Sequence, residues 1–176
     1  MSRSGADRVL LLSGLPGVGK TTAVRKVAAA LARHRLRGFT TEEVRVRGRR
    51  QGFRLETLDG HVATLAHTDI RSSCRVGRYG VDIDALNRIV DLTLHHDASV
   101  ELYVVDEIGK MECLSQKFVC AMESLLDSEA RILATIPVRG TEFIRRVRRH
   151  PAAKLWEITR ENRDEIPGRV LDWVGR

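Results

Sequence analysis

The sequence is poor in cysteine, and its three cysteines form no recognisable metal or disulfide pattern. Cys74, Cys113 and Cys120 show no CxxC spacing and have no histidine nearby at ligand spacing. We therefore expect neither a zinc site nor a disulfide framework, and reduced cysteines that pack within the fold are the better interpretation. The odd number of cysteines agrees with a reducing compartment.

The chain also lacks long apolar runs, linkers and internal repeats. No run approaches the length of a helix that spans a bilayer, and the first residues, MSRSGADR, lack the apolar segment of a signal peptide. We therefore expect a cytoplasmic protein without membrane contact. No stretch rich in Ser, Gly or Pro divides the 176 residues, so we expect a single domain over residues 1–176, and a monomer as the default.

Acidic residues are in the minority: the formal net charge is +7, and nearly all of the positive side chains are arginines. They are crowded in VRVRGRR (44–50) and IRRVRRH (144–150). Arginine suits phosphate because its planar guanidinium can make two parallel contacts, and a basic surface attracts polyanions such as nucleic acid. Solvated surface charge is the favoured interpretation, and aromatic residues that could stack on bases are sparse in both segments. Nucleic-acid binding stays open but is not favoured.

Apolar runs alternate along the chain with segments of helical periodicity. RVLLLSG (8–14) is short and nearly all apolar, as expected for a strand buried on both faces, and Val24, Val27, Ala28 and Leu31 follow at helical spacing. The same alternation returns in LYVVD before a helix through Leu114, Phe118, Met122 and Leu125, in RILATI before EFIRRVRRH, and in LWEIT before PGRVLDWVG. The pattern predicts an α/β fold of three layers, α/β/α, with a mostly parallel sheet.

The segment between the first helix and the second apolar strand has a different pattern. Its alternating, β-rich residues are interrupted at Gly48, at Gly52 and at the Asp59–Gly60 pair, which are hairpin signals. We therefore predict an antiparallel hairpin extension of the sheet at about residues 38–66.

The junction after the first strand, GLPGVGKTT, matches the Walker A or P-loop pattern G-x-x-x-x-G-K-[ST]. Glycines let the backbone curl so that its N–H groups point at a phosphate, and the following helix adds the positive end of its dipole. Lys20 is expected to reach the β and γ phosphates, and the Thr21 hydroxyl can bind Mg²⁺. The pattern predicts a P-loop NTPase fold, with a phosphate site formed by Gly14, Leu15, Pro16, Gly17, Val18, Gly19, Lys20, Thr21 and Thr22.

Two consecutive acids end the second apolar strand, in YVVDEIGKME (103–112). P-loop proteins use an aspartate at such a strand end to hold Mg²⁺, usually through a water, and Asp106 is at that position. Glu107 follows where the strand gives way to a loop, so both acids can turn toward the edge at which parallel sheets bind ligands. There Glu107 could orient and deprotonate the water that attacks the γ-phosphate.

Six segments occur in the order and approximate spacing of a known family: GLPGVGKTT, GFTTEEVR, CRVGRYGVD, VVDEIGKMECLS, ATIPV and ITRENRDEIP. Over essentially its whole length the chain resembles the cancer-related, or THEP-type, nucleoside triphosphatases. The resemblance implies an additional strand between the two nucleotide-contacting strands, and Mg²⁺-dependent hydrolysis of several NTPs, ATP and GTP among them, to NDP and phosphate. One departure is Cys113 followed by Leu114, where the family has Leu then Phe, an exchange expected to affect packing on a helix face.

Lys110 and Thr135 are further candidates with two interpretations each. Lys110 could neutralise charge that develops on the γ-phosphate, or could be a surface lysine paired with Glu112. The Thr135 hydroxyl, at the end of a third strand, could touch the γ-phosphate or the attacking water, or could be an ordinary strand residue.

ITRENRDEIP (158–167) could contain a helix-capping box from Asn162 to Glu165. Pro167 favours a different interpretation, because proline fits the first turn of a helix and would cost a hydrogen bond further inside one. The segment before it then becomes a loop at the carboxyl end of a strand, where Arg160, Asn162 and Arg163 could contact the base or ribose.

Two other functions stay open from the sequence. A nucleotide or small-molecule kinase shares the P-loop and often has an arginine-rich lid, for which 139–149 is a candidate. Glu107 argues against a kinase, since activating water would serve no purpose there. A nucleic-acid-dependent NTPase or binding module is suggested by the charge, and would bind nucleic acid with a steep salt dependence.

Overall fold

The computed structural model describes residues 7–175. The interpretation of the first residues, MSRSGA, as lacking a signal peptide falls outside this part of the chain. The strands are β1 (Val9–Ser13), β2 (Leu36–Val46), β3 (Arg49–Thr57), β4 (Val62–His67), β5 (Arg75–Val76), β6 (Tyr79–Val81), β7 (Leu102–Val105), β8 (Ile132–Ile136) and β9 (Ala153–Glu157). The helices are α1 (Lys20–Ala30), α2 (Ile83–Thr93), α3 (Gln116–Asp127), α4 (Glu142–Arg148) and α5 (Ile166–Val174).

One nine-stranded sheet has the order β5-β6-β4-β3-β2-β7-β8-β1-β9. The half from β2 to β9 is parallel, with Leu11 opposite Ala134 and Val104 opposite Leu133. Strands β1, β7 and β8 are buried along their whole length, which explains their continuous apolar sequences. Strand β8 lies between β1 and β7, so the additional strand implied by the family resemblance is present.

Helices cover both faces of the parallel half, and each face has its own apolar core. Val24 and Val27 of α1 pack with Val170 and Trp173 of α5 on one face. Helices α3 and α4 lie on the other face, and α2 continues their layer over β2, β3 and β4. Leu86 of α2, Phe118 of α3 and Ile144 of α4 belong to a second core. The predicted three-layer α/β/α architecture is therefore confirmed.

The antiparallel extension begins where β2 continues past its parallel partner and pairs with β3. Strand β3 pairs antiparallel with β4, and β6 and β5 complete the edge. Gly48 and Gly60 lie in the turns with positive φ, 77° and 95°, as the hairpin signals predicted. Gly52 was wrongly predicted as a break, because it lies inside β3, where a Cβ would overlap the Ala66 carbonyl oxygen.

Two local features differ from the sequence expectations. The third helix begins at Gln116 because the Ser115 hydroxyl caps it, accepting a hydrogen bond from the Phe118 N–H. Leu114, predicted inside this helix, instead ends a 3-10 turn, Glu112–Leu114, and is 40% exposed. Cys113, in the same turn, is half-buried against the core, so the departure from the family pattern does not lie on a helix face.

Helix α2 was not predicted. Its signals are the Asp82 cap and the apolar spacing of Leu86, Ile89 and Val90. Within residues 7–175, no helix combines the length and apolar character needed to cross a membrane.

Candidate active site

The P-loop connects the buried end of β1 to the first turn of α1. Gly17 and Gly19 have φ values of 75° and 115°, a region that favours glycine and lets the loop reverse before the helix. Gly14 is needed for a different reason, since a Cβ there would lie 2.5 Å from the Ile158 carbonyl oxygen. Leu15, at the outer part of the loop, is 71% exposed. The loop therefore wraps a space at the carboxyl edge of the sheet.

The amino terminus of α1 has no side-chain cap, unlike those of α2, α3 and α4. Its first-turn N–H groups, together with the helix dipole, suit a phosphate. The Lys20 Nζ donates hydrogen bonds to the carbonyl oxygens of Gly14 (2.9 Å) and Leu15 (3.2 Å). The ammonium group therefore lies over the loop, as a lysine that binds β and γ phosphates must.

Asp106 follows β7 and is buried, with 1% of its surface exposed. Its Oδ1 accepts a hydrogen bond from the Thr135 hydroxyl at 2.6 Å, and the Thr21 hydroxyl lies near enough to the carboxyl group to lower its pKa. Burial raises the pKa of Asp106 above its ordinary value, while these hydroxyls, the Thr41 N–H and the charge of Arg25 oppose the rise. The P-loop threonine and the strand-end acid are therefore neighbours.

This hydroxyl and carboxylate suit a hard cation such as Mg²⁺, which prefers oxygen ligands. Within residues 7–175, no group of three or more His, Cys, Asp or Glu side chains is arranged to hold a metal. A Mg²⁺ ion bound together with a nucleotide needs fewer protein ligands, because water and phosphate oxygens supply the others. Thr21 and Asp106 thus fit the predicted Mg²⁺ site.

Glu107 is half-buried beside Asp106. Burial raises the pKa of its carboxyl group, the Lys20 ammonium lowers it, and the charge of Asp106 raises it. The charge of Lys20 therefore acts on Glu107 across the sheet edge. A carboxyl group of raised pKa beside the P-loop lysine is suited to accept a proton.

Lys110 is exposed in the loop after Glu107. Glu112, the partner considered for it, is buried with 4% of its surface exposed. None of the ion pairs formed by the described residues joins the two. The surface-pair interpretation of Lys110 is therefore wrong, and its charge-neutralising role stays a prediction.

The segment after β9 is a loop, and α5 begins with Pro167 in its first turn, as predicted. Asn162 fixes this loop: its Oδ1 accepts from the Thr159 N–H at 2.8 Å, and its Nδ2 donates to the Glu157 carbonyl at 2.9 Å. Arg163 lies across the P-loop, with its Cδ 3.6 Å from the Cβ position on Gly19. These contacts favour a loop-shaping role for Asn162.

Arg163 also borders a cavity of about 140 Å³ beside the phosphate site. Its other lining residues come from the start of α1 and the loop before α5: Gly19, Thr22, Ala23, Lys26, Asp164 and Pro167. Arg160 is exposed and outside this lining. Base or ribose contact stays a prediction for Arg160, Asn162 and Arg163, and Arg163 is the best placed of the three.

A family model described as NTPase matches residues 9–171. The chain belongs to the NTPase family. It is 39% identical to nucleoside-triphosphatase THEP1 of Thermotoga petrophila, over 92% of this chain and 90% of that protein. It is 36% identical to the human cancer-related nucleoside-triphosphatase, over 90% of this chain and 92% of that protein. The crystal structure of THEP1 from Aquifex aeolicus superposes with a TM-score of 0.87 at 36% identity, covering 96% and 99% of the two chains.

The family resemblance stated from the sequence is thus confirmed, and with it the enzyme class of a nucleoside triphosphatase. The contacts of two threonines with Asp106 were not predicted. The Thr135 hydroxyl binds Asp106, and Thr41 donates its hydroxyl to the Asp106 carbonyl oxygen and its N–H to Oδ2 at 3.5 Å. Thr41 lies in GFTTEEVR, a segment already among the family signatures, so only its contact with Asp106 was not predicted.

The arginines of α4 in this NTPase differ in their surroundings. Arg145 binds Glu142, and Arg146 pairs with Glu123 across to α3. Arg148 instead donates from Nη1 to the Ser13 hydroxyl at 2.9 Å and to the Pro137 carbonyl at 3.0 Å. Arg148 is therefore bound to the ends of β1 and β8, next to the P-loop.

Proposed function

We propose that this NTPase hydrolyses ATP, GTP and other NTPs to NDP and phosphate in a Mg²⁺-dependent reaction. The observation that supports this most is the position of the Thr21 hydroxyl beside the buried Asp106 carboxyl group. The P-loop thus lies next to the strand-end acid, and Lys20 and Glu107 lie at the same edge. Phosphate binding, metal binding and water activation would therefore meet in one place.

In the proposed reaction, the P-loop amides and Lys20 bind the β and γ phosphates. Thr21 and Asp106 would hold Mg²⁺, which when bound neutralises charge on the phosphate oxygens. Glu107 orients the attacking water and takes its proton as the water oxygen bonds to the γ-phosphorus, while the bond from that phosphorus to the bridging oxygen breaks and the oxygen leaves with NDP. Lys20, and from the loop Lys110, offset the negative charge that leaves with the NDP.

The partners we propose are nucleoside triphosphates. A monomer in the cytoplasm without membrane contact, and the single domain over residues 1–176, remain proposals from the sequence. Phosphate release from each NTP, measured with and without phosphoryl acceptors or RNA, separates hydrolysis from the kinase and nucleic-acid-dependent alternatives. Release that required an acceptor or RNA would contradict simple hydrolysis.

The decisive variants separate the two consecutive acids. Glu107→Gln keeps the shape of the side chain but cannot take a proton, so we expect near-normal nucleotide binding and a hydrolytic step slowed by roughly 10² to 10⁴. Asp106→Asn should instead weaken nucleotide affinity and raise the Mg²⁺ concentration needed for turnover. Binding of a non-hydrolysable analogue and single-turnover phosphate release measure both.

Lys20→Ala serves as the reference in these assays, because it should lose binding and turnover together. Unchanged phosphate release in Glu107→Gln would contradict the water-activating role. Lost binding in that variant would assign Glu107 to the metal instead.

A further inference from the structure

Glu112 is a buried acid that the proposed reaction does not use. It begins the 3-10 turn Glu112–Leu114, and 4% of its surface is exposed. Acids this deeply buried are nearly always paired with a cation. None of the ion pairs among residues 7–175 includes Glu112. The protonation state and the role of Glu112 therefore need an explanation.

The Glu112 and Glu107 carboxyl groups meet at Gly109. Oε2 of Glu112 lies 2.7 Å, and Oε2 of Glu107 lies 3.3 Å, from the position that a Cβ on Gly109 would occupy. The backbone N–H groups of Gly109 and of Glu112 itself lie near enough to the Glu112 carboxyl to oppose the rise in its pKa. The loop after Glu107 is thus closed onto Glu112, with no room for a side chain between them.

The charged groups that act on Glu112 favour its neutral form. Burial, followed by the negative charges of Glu107 and Asp106, raises its pKa to about 8, against the effect of the two backbone N–H groups. The neighbouring Cys113 thiol is also neutral, because burial raises its pKa to about 12. Neither Lys20 nor Lys110 forms an ion pair with Glu112. Lys20 bonds to the P-loop and its charge acts on Glu107, and Lys110 is exposed.

We propose that Glu112 is a positioning residue for Glu107, acting as an uncharged carboxylic acid that holds the Gly109 turn. The proposal rests on the proposed function, in which Glu107 takes the proton of the attacking water. An uncharged Glu112 fixes this loop without placing another negative charge beside Glu107 and the γ-phosphate. Ionisation of Glu112 would add that charge, so hydrolysis should fall as the pH rises above 8.

Glu112→Gln and Glu112→Ala test this role, with Glu129→Gln as the matched control. The amide of Glu112→Gln keeps the size and the acceptor oxygen and cannot ionise. Glu129 is an exposed acid just before β8, at the edge of the sheet opposite the P-loop. Single-turnover phosphate release is measured from pH 6 to 9.5, and binding is measured with a non-hydrolysable analogue.

We expect wild type and Glu129→Gln to lose up to roughly tenfold in rate per pH unit above pH 8. Glu112→Gln should stay within about threefold of wild type at pH 7 and should keep its rate at alkaline pH. Glu112→Ala should bind the analogue about normally but hydrolyse at least about tenfold more slowly than wild type at pH 7, without the alkaline loss. An alkaline loss in Glu112→Gln equal to that of wild type, or a wild-type rate in Glu112→Ala, would overturn the proposal.

Circular dichroism shows whether Glu112→Ala folds; if it does not, the comparison of Glu112→Gln with wild type decides alone. Glu107→Gln in the same assay separates the two proposals. Undiminished hydrolysis in Glu107→Gln would contradict the role of Glu107 as the base, and with it both proposals. If Glu107→Gln hydrolyses slowly but Glu112→Gln shows the same alkaline loss as wild type, only the proposed role of Glu112 is contradicted.

Discussion

At the scale of single residues, Asp106 is flanked by three threonines from three different strands or helices. Thr41 from β2 and Thr135 from β8 donate hydrogen bonds to Asp106, and Thr21 from α1 lies beside its carboxyl group. Burying an acid without such donors would cost several kcal/mol, or would leave it protonated. The threonines therefore oppose the rise in the pKa of Asp106 that burial causes.

Thr135 offers a test of this arrangement. Thr135→Val keeps the shape but removes the 2.6 Å hydrogen bond to Oδ1, so we expect a loss of about 1–3 kcal/mol in the free energy of unfolding. The Mg²⁺ concentration for half-maximal turnover should also rise, while Thr135→Ser should retain both properties. Urea denaturation and Mg²⁺ titrations of turnover measure these changes.

Thr93→Val is a suitable control, because Thr93 is equally buried but donates only to the Ile89 carbonyl within α2. It should lose stability without a change in Mg²⁺ dependence. If Thr135→Val also lost stability without a change in Mg²⁺ dependence, Thr135 would contribute to packing only.

At the scale of elements, α4 combines surface ion pairs with one contact to the carboxyl edge of the sheet. The pairs of Arg145 and Arg146 are more than half-exposed on the arginine side, and exposed pairs of this kind contribute little to stability. Arg148 bonds to Ser13, the last residue of β1, and to the residue after β8. Helix α4 is thereby attached to the strand that leads into the P-loop.

We therefore expect one arginine of α4, Arg148, to matter for turnover. Arg148→Ala should lower kcat by about tenfold or more, because the end of β1 loses a charge-assisted hydrogen bond. Arg145→Ala and Arg146→Ala should stay within about threefold of wild type, since both arginines are more than half-exposed in their ion pairs. Steady-state kinetics of the three variants measure this, and equal small losses in all three would indicate a solvated basic face.

Local sequence signals predicted elements well where one physical effect dominates. Strands β1, β7 and β8 are buried on both faces, so their composition alone predicted them. Gly48 and Gly60 marked turns because the backbone there needs positive φ. Gly52 is a glycine for another reason, because β4 approaches its backbone closely. The sequence alone cannot distinguish a glycine needed for positive φ from one needed for close packing.

At the scale of the whole molecule, the sequence predicted which residues lie at the carboxyl edge of the parallel strands better than how they contact one another. The P-loop, Asp106 and Glu107 follow from strand ends in a parallel sheet, where all carboxyl ends meet. The contacts of Thr41 and Arg148 depend on strand order and on the angle of a helix. Those contacts join residues 65 and 135 positions apart, so no local pattern contains them.

Acid burial at this edge should also make the stability of the whole molecule depend on pH. The pKa of Glu112 rises on folding from an ordinary 4.5 to about 8, so between these values the folded state binds more protons than the unfolded state. Stability must therefore fall as the pH rises through this window, by up to about 1.4 kcal/mol per unit for one such group. Asp106 and Glu107, whose pKa values are also raised by burial, act in the same direction.

Thermal unfolding without nucleotide, followed from pH 5 to 9, measures this effect. The Tm of wild type and of Glu129→Gln should decline across the window, whereas Glu112→Gln, which has no proton to lose at this position, should decline less. Acids whose pKa values are lowered, such as Asp59 and Glu142, are exposed and lose their contribution only below about pH 4. They cannot produce the decline. Parallel Tm curves for wild type and Glu112→Gln would mean that Glu112 ionises in the folded protein as readily as in the unfolded chain.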